Sequence, residues 1–390
     1  MNKSIRILVL SLALIGLTFI SSCALPRVNA QQRTFLDLSL EFLGEYQLPK
    51  MKFQDTTVGG LSGITYDRKR DRFYAVSDDR SNLAPARFYT LKLNINNSKI
   101  QKAEIENVTF LKTKEGKTYP KGSIDPEGIA ITPQGTLFIS SEGSTRELIP
   151  PFIGEFDLKT GALKQNLPMP QRYIPDTNGE QQQRGVQDNL AFESLTLNPT
   201  GSLPASGEPI RLFTVTESAL IQDKDPPQKD EQGNIKPQIT KSRFLHYLIS
   251  DGPPIILSEH LYPLSPYPPG AMYHGVTELL AIDPGGHFLS IERSFGLTGF
   301  GAKLYQLFTG AATDTSRIAS LKGETRAVQP VKKQLTLDLQ KLGIRLDNLE
   351  GMTFGPRLPD GTQSLILVSD DNFKEEQITQ LLLFRLKGSL

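Results

Sequence analysis

Hydrophobic and polar residues alternate along the chain in short segments that turn residues separate. In "SGITYD" and "RFYAVSD", both within Gly59–Arg80, apolar side chains recur at about every second position. Such alternation is typical of strands that bury one face. Because a turn containing Gly, Pro, Asp or Asn joins the two segments of each pair, the pattern predicts β-hairpins rather than helices.

The same hairpin recurs five times along the chain. Its copies occupy Gly59–Arg80, Asp125–Ser144, Asn189–Ser218, Gly275–Ser294 and Asn348–Asn372. An apolar third strand follows each copy, and a fourth strand follows most of them. Units that repeat every 65 to 85 residues predict an all-β fold, a β-propeller of four-stranded blades, rather than a pair of β-sandwich sheets.

The two ends of the pattern decide the number of blades and the closure of the ring. Five blades are counted, and a sixth is possible within Ala311–Arg345, where "VKKQLTLDLQKLG" fits a strand or a short helix. The last unit ends after its third strand. We expect the N-terminal segment Phe35–Leu48 to pair with this unit as its fourth strand, because a closed ring leaves no open sheet edge.

The first thirty residues are predicted to form an export signal. Lys3 and Arg6 precede the apolar segment Ile7–Ile20, whose fourteen residues are too few to span a bilayer comfortably. "ISSC" resembles a bacterial lipobox that would lipidate Cys23, whereas "VNA" before Gln31 resembles an ordinary cleavage site. We therefore expect an exported protein, either in the periplasm or anchored to a membrane of a bacterial envelope through Cys23.

Residues 31–390 are predicted to form a single propeller domain with loop insertions near 169–189 and 221–238. Cys23 is the only cysteine, so a disulfide or a thiolate nucleophile is not expected in this domain. The net charge of +1 gives no general attraction to nucleic acids or acidic membranes. We expect a monomer that binds a small molecule, with no nucleic-acid partner and no membrane contact except the lipid anchor.

Acidic residues begin and end the predicted hairpins. In an antiparallel hairpin the first and last residues lie side by side, and in a propeller the first strand of every blade lines the central channel. The two acids of each hairpin should therefore meet at one end of this channel. The expected pairs are Glu127 with Glu142, Glu193 with Glu217, Glu278 with Glu292, and Glu350 with Asp370, while Ser62 takes the first position beside Asp78.

Carboxylates gathered at one channel end need compensation, because like charges raise one another's pKa or recruit cations. Ligands with only oxygen donors favour Ca²⁺, with Mg²⁺ and Mn²⁺ as alternatives. The predicted metal ligands are Glu127, Glu193, Glu278, Glu350, Asp78, Asp370 and Asp371. The predicted catalytic residues are Glu142, Glu217, Glu292, Arg80, Arg146, Arg293 and His274. In an alternative interpretation, these acids only bind backbone N–H groups of neighbouring blades.

The segments "DPEGIA…SSEGS", "ESLTL…TES" and "NLEGMTFGP…LILVSDDNF" resemble the phytase-like family, whose description is "esterase-like activity of phytase". The resemblance extends from about Leu48 to the C-terminus. It implies an exported propeller rich in Glu and Asp with phosphoesterase activity. Ser62 departs from the glutamate pattern, which argues against a strict equivalence of the five units. For this chain, the resemblance implies that the residues responsible for the activity are Glu127, Glu142, Glu193, Glu217, Glu278, Glu292, Glu350, Asp370 and Asp371.

Three functions are compatible with these residues. The first is an exported phosphoric-ester hydrolase whose carboxylates hold a divalent metal and whose arginines bind the phosphate. The second is a non-catalytic envelope propeller that binds a ligand or a protein partner. The third is a calcium-dependent lactonase or carboxylesterase, which would use similar carboxylates.

Overall fold

The computed structural model describes residues 34–96, 98–177, 182–198, 208–233 and 235–388. Residues 1–36 and 37–390 form separate compact units, and only 34–36 of the first unit are described. The predicted signal segment 1–30, with Cys23, lies outside the described residues. Within the described ranges, no helix has the length and apolar character that crossing a membrane requires.

The regular secondary structure of the described residues from 37 to 388 is almost all β-strand, as the alternating pattern predicts. In chain order these are β1 (Leu38–Leu48), β2 (Met51–Phe53), β3 (Thr56–Val58), β4 (Leu61–Asp67), β5 (Arg72–Ser77), β6 (Arg87–Asn96), β7 (Lys99–Phe110), β8 (Pro126–Ile131), β9 (Thr136–Ser141), β10 (Phe152–Asp157), β11 (Leu163–Asn166), β12 (Thr196–Leu197), β13 (Ile210–Val215), β14 (Thr240–Ile249), β15 (Ile255–Leu264), β16 (Ala271–Ala281), β17 (His287–Gly296), β18 (Gly299–Phe308), β19 (Lys332–Asp338), β20 (Asn348–Arg357), β21 (Gln363–Asp370) and β22 (Thr379–Gly388). Described 3₁₀ turns occupy Gln171–Tyr173, Ile221–Asp223 and Leu339–Leu342.

Twenty of the described strands form five four-stranded antiparallel sheets, which are the blades of a propeller, and β2 pairs with β3 in a separate two-stranded sheet. Four of them follow the chain, namely β4 to β7, β8 to β11, β12 to β15 and β16 to β19. The fifth has the order β20, β21, β22, β1. The inner strands contact one another around the ring, since β4 lies against β8 and β20, and β16 lies against β12 and β20. The predicted five-bladed propeller is therefore confirmed.

The ambiguous segment "VKKQLTLDLQKLG" belongs to the fourth blade and adds no sixth one. Its strand β19 pairs with β18, as Tyr305 with Leu335 illustrates, and the turn Leu339–Leu342 follows directly. The segment is thus a strand in its first half and a short helical turn in its second. Both alternatives that the sequence allowed are present, one after the other.

The N-terminal strand closes the ring. β1 pairs antiparallel with β22 along its whole length, from Leu38 opposite Gly388 to Leu48 opposite Thr379. This pairing gives the fifth blade its fourth strand and confirms the predicted closure. Because the first and last strands of the domain share a sheet, the edge that the C-terminal strand would otherwise expose is covered.

Aromatic residues fill the space between neighbouring blades. Phe288 of the fourth blade packs edge-on against Phe213 and Phe244 of the third, with ring centroids 4.8 and 5.2 Å apart. All three rings are buried. Burial of each such side chain stabilises the fold by about 1.5–3 kcal/mol, and this packing fixes the relative positions of the inner strand ends.

A β-bulge near the start of the inner strand re-aims side chains at one end of the channel. The register shifts between Leu61 and Gly63 in the first blade, and between Leu349 and Gly351 in the fifth. Corresponding shifts follow Pro126 in the second blade. A bulge bends the strand, and the side chain of its extra residue no longer follows the regular alternation between the two faces of the sheet. These bulges direct Ser62, Glu127 and Glu350 toward the end of the channel where the second strands finish.

Candidate functional site

Two groups of three carboxylates lie at the bulge end of the channel. Asp125, Glu127 and Glu142 each offer one oxygen, and these oxygens lie within 4.8 Å of one another. Glu142, Glu193 and Glu217 form a second group by the same criterion. Glu142 belongs to both groups, so the second and third blades contribute to one continuous cluster.

Further acids of the first and fifth blades interact electrostatically with these groups. The charge of Asp78 acts on Glu127 and Glu350, and that of Asp370 acts on Asp78. We call the resulting cluster the carboxylate centre; it comprises Asp78, Asp125, Glu127, Glu142, Glu193, Glu217, Glu350 and Asp370.

Strand ends and a glycine position the members of the carboxylate centre. Glu142 comes directly after the second strand β9, and Glu217 comes two residues after the second strand β13. The side chain of Glu217 lies over Gly275 at the inner strand of the next blade. A Cβ on Gly275 would come within 2.2 Å of Glu217 Oε1. The absence of a side chain at Gly275 therefore lets the Glu217 carboxylate enter the cluster.

Arg293 is the less exposed of the two cations at the carboxylate centre. Its guanidinium lies 3.0 Å from Glu217, 3.2 Å from Glu350 and 3.7 Å from Glu193, and it also donates to Asn348 Oδ1 at 2.5 Å. The carboxylates hold its pKa above the usual range, against the opposing effect of its burial. Arg293 thus links three blades and is engaged on several sides.

Arg80 is the second cation and lies nearer the solvent. Its Nε donates to Asp125 Oδ1 at 2.7 Å and its Nη2 to Asn189 Oδ1 at 2.5 Å. Its side chain is 39% exposed, compared with 16% for Arg293. Arg80 therefore borders the mouth of the site, where a ligand arriving from solvent can meet it.

Burial raises the pKa of every member of the carboxylate centre. The pKa of Asp125 rises to about 6 and that of Glu350 to about 8. For Glu127 and Glu193 burial raises the pKa well above the usual range, and neighbouring carboxylates raise it further. The remaining members shift in the same direction, namely Asp78, Glu142, Glu217 and Asp370. Without a cation, several of these groups would hold protons at neutral pH.

Five buried oxygens of the centre have no hydrogen-bond partner among the described residues: Asp78 Oδ1, Asp125 Oδ2, Glu142 Oε2, Glu193 Oε2 and Glu217 Oε2. Of these, Asp125 Oδ2 forms an ion pair with Arg80 Nη2 at 2.5 Å. Buried polar atoms are rarely left unpaired, because an unmade hydrogen bond in the interior is costly. Open carboxylate oxygens from several strands, with no nitrogen or sulfur donor among them, suit a hard divalent cation such as Ca²⁺, Mg²⁺ or Mn²⁺. The residues present therefore fit a metal ion.

The fourth blade departs from the expected pairing of Glu278 with Glu292. Its bulge lies between Val276 and Glu278, and Val276 stands opposite Glu292. Thr277 therefore takes the position of the first acid and Arg293 that of the second. A shift of one residue sends every following side chain to the other face. The fourth blade thus brings an arginine to the centre where acids are expected.

Glu278 lies among backbone N–H groups. Its Oε1 accepts hydrogen bonds from Leu195 N at 3.1 Å and Leu279 N at 2.9 Å, and its Oε2 accepts one from Met352 N at 3.4 Å. These contacts join the inner strands of the third, fourth and fifth blades. Its surroundings match the alternative interpretation, in which an acid ties neighbouring blades together.

Glu292 and His274 lie in a separate buried cluster beside the third blade. Glu292 accepts hydrogen bonds from Tyr262 Oη at 2.8 Å and from Lys333 Nζ. His274 Nδ1 lies 3.0 Å from the carbonyl oxygen of Arg293, and its Nε2 is 3.8 Å from Glu292 Oε2. Burial lowers the pKa of His274. Among the described residues, no hydrogen bond or ion pair joins either side chain to a carboxylate of the centre.

The remaining predicted residues have partners outside the two groups of three carboxylates. Asp371 accepts the backbone N–H of Gly60 at 2.9 Å, a bond between the fifth blade and the segment before the first. Asp370, although part of the centre, accepts from Asn372 N at 2.7 Å. Arg146 is 81% exposed and pairs with Asp188 at 3.0 Å. Arg146 can therefore reorient toward a ligand more freely than Arg293.

Two polar residues of the site are absent from the sequence-based assignment. Asp125 belongs to the first carboxylate group, and Asn348 donates to Glu350 at 2.7 Å while accepting from Arg293. Both stand two residues before a first-position acid, Glu127 or Glu350. The signal was thus present in the repeat, as a polar residue at a fixed distance before that acid.

The fold and site define a five-bladed β-propeller with a buried carboxylate centre at one end of its channel. This chain belongs to the family described as "Phytase-like: Esterase-like activity of phytase", whose model matches residues 56–373. The family resemblance of the sequence is thereby confirmed. No curated protein sequence matches the chain significantly.

Solved structures are similar to this chain only at low sequence identity and low TM-score. An α-L-arabinofuranosidase from Lactobacillus brevis is 10% identical, with 84% of this chain and 91% of that chain covered and a TM-score of 0.40. The Dos1 propeller is 8% identical, with 83% and 67% covered and a TM-score of 0.31. The catalytic domain of a Coprinopsis cinerea α-L-arabinofuranosidase is 10% identical, with 90% and 97% covered and a TM-score of 0.39. At these values the likeness says nothing about activity.

Proposed function

We propose that the chain is a hydrolase of phosphoric esters that depends on a divalent cation at the carboxylate centre. The unpartnered buried oxygens of Glu142, Glu193 and Glu217 carry this proposal. They converge in one cluster and require a positive ligand or protons. Family membership supports a hydrolytic role on the same scaffold.

The first carboxylate group is the proposed metal site. Asp125, Glu127 and Glu142 would supply the ligands, and Ca²⁺ is the proposed ion, with Mg²⁺ or Mn²⁺ as alternatives. A cation bound there would polarise the phosphoryl oxygen and lower the pKa of a water molecule. Arg80, which hydrogen-bonds to Asp125, is placed to orient an incoming phosphate through its guanidinium.

Glu193 is the proposed general base. Its Oε2 lacks a partner, and a Glu193 oxygen lies within 4.8 Å of one from Glu142 in the second carboxylate group. Glu193 Oε2 is buried, and in the proposed reaction it accepts a proton from a water molecule beside the first group. Arg293 lies near Glu193 and Glu217 and would favour their ionised forms during turnover.

Cation binding tests the site separately from activity. Protein stripped with EDTA should gain thermal stability when Ca²⁺ is added, because a ligand of the folded state alone raises the melting temperature. Glu142→Gln removes the residue shared by both groups and should weaken Ca²⁺ binding at least about tenfold. Glu324→Gln, at a carboxylate that is 71% exposed, is the matched control and should bind like wild type. Equal affinity in both variants would refute the metal site.

Activity is tested by phosphate release from an aryl phosphate in the presence of Ca²⁺, Mg²⁺ or Mn²⁺. Glu193→Gln should lower kcat by about 10²-fold or more, the usual contribution of a general base, and leave Ca²⁺ binding measurable. Arg80→Ala should mainly raise KM. A wild-type protein that binds Ca²⁺ and hydrolyses a carboxylic ester or lactone but no phosphoric ester would overturn the proposed substrate class.

A further inference from the structure

The second carboxylate group has one open oxygen on each of its members. Glu142, Glu193 and Glu217 each have a buried Oε2 atom with no hydrogen-bond partner among the described residues. In the first group, by contrast, the corresponding oxygen of Asp125 is ion-paired with Arg80. A buried carboxylate oxygen without a partner is costly, so three of them in one place point to a positive ligand.

The spacing of the second group suits a single metal ion. The side chains of Glu193 and Glu217 are 8% and 3% exposed, so bulk solvent does not satisfy their oxygens. One oxygen from each of the three glutamates lies within 4.8 Å of the other two. Oxygen ligands bind Ca²⁺ at about 2.3–2.6 Å, so three oxygens at this spacing can share one ion.

Arg293 does not complete the second group. Its guanidinium lies 3.0 Å from Oε1 of Glu217 and 3.7 Å from Oε1 of Glu193, and it is also 3.2 Å from Oε1 of Glu350. These contacts leave the Oε2 atoms of Glu193 and Glu217 open. Arg293 therefore compensates one side of the group, and the other side can still accept a cation.

A single divalent cation leaves much of the centre uncompensated. The eight carboxyl groups face only the guanidinium groups of Arg80 and Arg293, and a divalent ion in the first group offsets the charge of two carboxylates. The remaining acids need protons or a further cation, because like charges at short distance destabilise one another. A second divalent ion is therefore compatible with the charge of the centre.

We propose that Glu142, Glu193 and Glu217 form a second divalent-cation site, which binds more weakly than the first site and inhibits hydrolysis when it is occupied. The inhibitory part rests on the proposed function, in which Glu193 is the general base. A cation bound to Glu193 Oε2 would engage the electron pair that must accept the proton of water. Activity would thus depend on cation concentration with an optimum.

The two arginines explain why the second site is the weaker one. Arg293 is 16% exposed and is held by Glu350 and Asn348, so its positive charge stays beside an arriving cation. Arg80 is 39% exposed and borders the mouth, so it can turn toward solvent when the first site fills. Repulsion from Arg293 should make the Kd of the second site at least about tenfold higher.

Calorimetric titration of the EDTA-stripped full chain with Ca²⁺ tests the second site without turnover. The wild-type protein should bind two ions with different Kd values. Glu217→Gln alters only the second group and should leave one ion, bound with the lower Kd. Glu127→Gln alters only the first group and is the matched variant, which should leave one ion bound with the higher Kd.

Glu193→Gln also alters only the second group, supplies a second variant, and should bind one ion. In EDTA the melting temperatures of these variants should not fall, because each variant removes one carboxylate from a crowded cluster. A single ion in the wild type, or two ions in both Glu217→Gln and Glu193→Gln, overturns the second site. Failure of the proposed function appears differently, as two bound ions without any phosphate release, and it would remove the inhibitory role while leaving the site.

Kinetics test the inhibitory role where hydrolysis of an aryl phosphate is observed. The kcat of the wild type should rise with Ca²⁺ and then fall at least about tenfold as the second site fills, since the general base is blocked. Glu217→Gln should abolish this fall. Glu324→Gln, at a carboxylate that is 71% exposed, should retain it. An equal fall in Glu217→Gln would exclude the second site as the cause of inhibition.

Discussion

Two buried clusters of charged residues in this propeller, the Arg243 network and the carboxylate centre, differ in how completely their carboxylate oxygens are paired. The Arg243 network comprises Arg172, Tyr173, Asp223, Arg243 and Glu259. Arg243 binds both oxygens of Asp223, at 2.6 and 2.9 Å, and also donates to Glu259. Arg172 and Tyr173 complete the partners of Glu259, at 3.3 and 2.8 Å. Two arginines thus face two carboxylates, and every carboxylate oxygen has a partner.

The carboxylate centre contains eight carboxyl groups and only two guanidinium groups, those of Arg80 and Arg293. Five of its buried oxygens lack a hydrogen-bond partner among the described residues, and only one of them, Asp125 Oδ2, forms an ion pair. A buried ion cluster that serves only the fold tends toward complete pairing, because each unpaired charge in the interior destabilises it. The incomplete pairing of the centre therefore indicates that a ligand completes it.

The largest effect is expected from breaking the Arg243 network. Arg243→Met removes the cation and leaves Asp223 and Glu259 buried without their main partner, so the free energy of unfolding should fall by about 3–5 kcal/mol. Chemical denaturation measures the change. Arg326→Ala, at an ion pair whose arginine is 85% exposed, should change stability by less than about 0.5 kcal/mol. Similar losses in both variants would contradict the assignment of a structural role to the network.

The propeller could be predicted from sequence because its evidence is local and repeated. Alternation within each hairpin gives the strands, and the unfinished last unit gives the closure by β1. The fourth blade shows the limit of this approach. The segment "GVTELLAIDPGGHFLSIERS" can be aligned with the other hairpins in two registers that differ by one residue, and its sequence does not distinguish them. The bulge after Val276 decides which register the strand adopts.

The Arg243 network could not have been predicted, because its partners are remote in sequence. Asp223 lies in one inserted segment, and the backbone N–H of Leu321, which donates to it at 2.7 Å, lies in another. No periodic pattern relates such segments. Pairing between irregular loops depends on the packed three-dimensional structure, so sequence alone identifies the acids of this protein without separating the paired ones from the open ones.

The dependence of stability on pH should distinguish the open centre from a fully paired network. The pKa of Glu350 is raised by burial from its ordinary value of 4.5 to about 8, and that of Asp125 from 3.8 to about 6. A raised pKa means that the folded state retains protons that the unfolded state releases. Stability from these groups is therefore complete below about pH 4 and is lost as the pH rises toward 8.

In EDTA, the free energy of unfolding should fall by at least about 1.4 kcal/mol between pH 5 and pH 8, the equivalent of one pKa unit. Added Ca²⁺ should reduce this loss, since a bound cation replaces the protons. Glu350→Gln should make the pH dependence in EDTA shallower. A stability that is flat with pH in EDTA, or equally steep with and without Ca²⁺, would count against open carboxylates in the centre.

The smallest effect is expected from Glu278→Gln. This variant allows a fully paired glutamate of the channel to be compared with an open one. All the hydrogen bonds that Glu278 accepts come from backbone N–H groups of Leu195, Leu279 and Met352, and a glutamine oxygen can keep the two made by Oε1. Glu278→Gln should therefore leave Ca²⁺ affinity within about threefold of wild type, whereas Glu142→Gln should weaken it more, because Glu142 is a proposed ligand and its Oε2 is open. Titration of both variants with Ca²⁺ measures the difference. A stronger loss in Glu278→Gln would mean that backbone pairing does not distinguish structural acids from ligands in this channel.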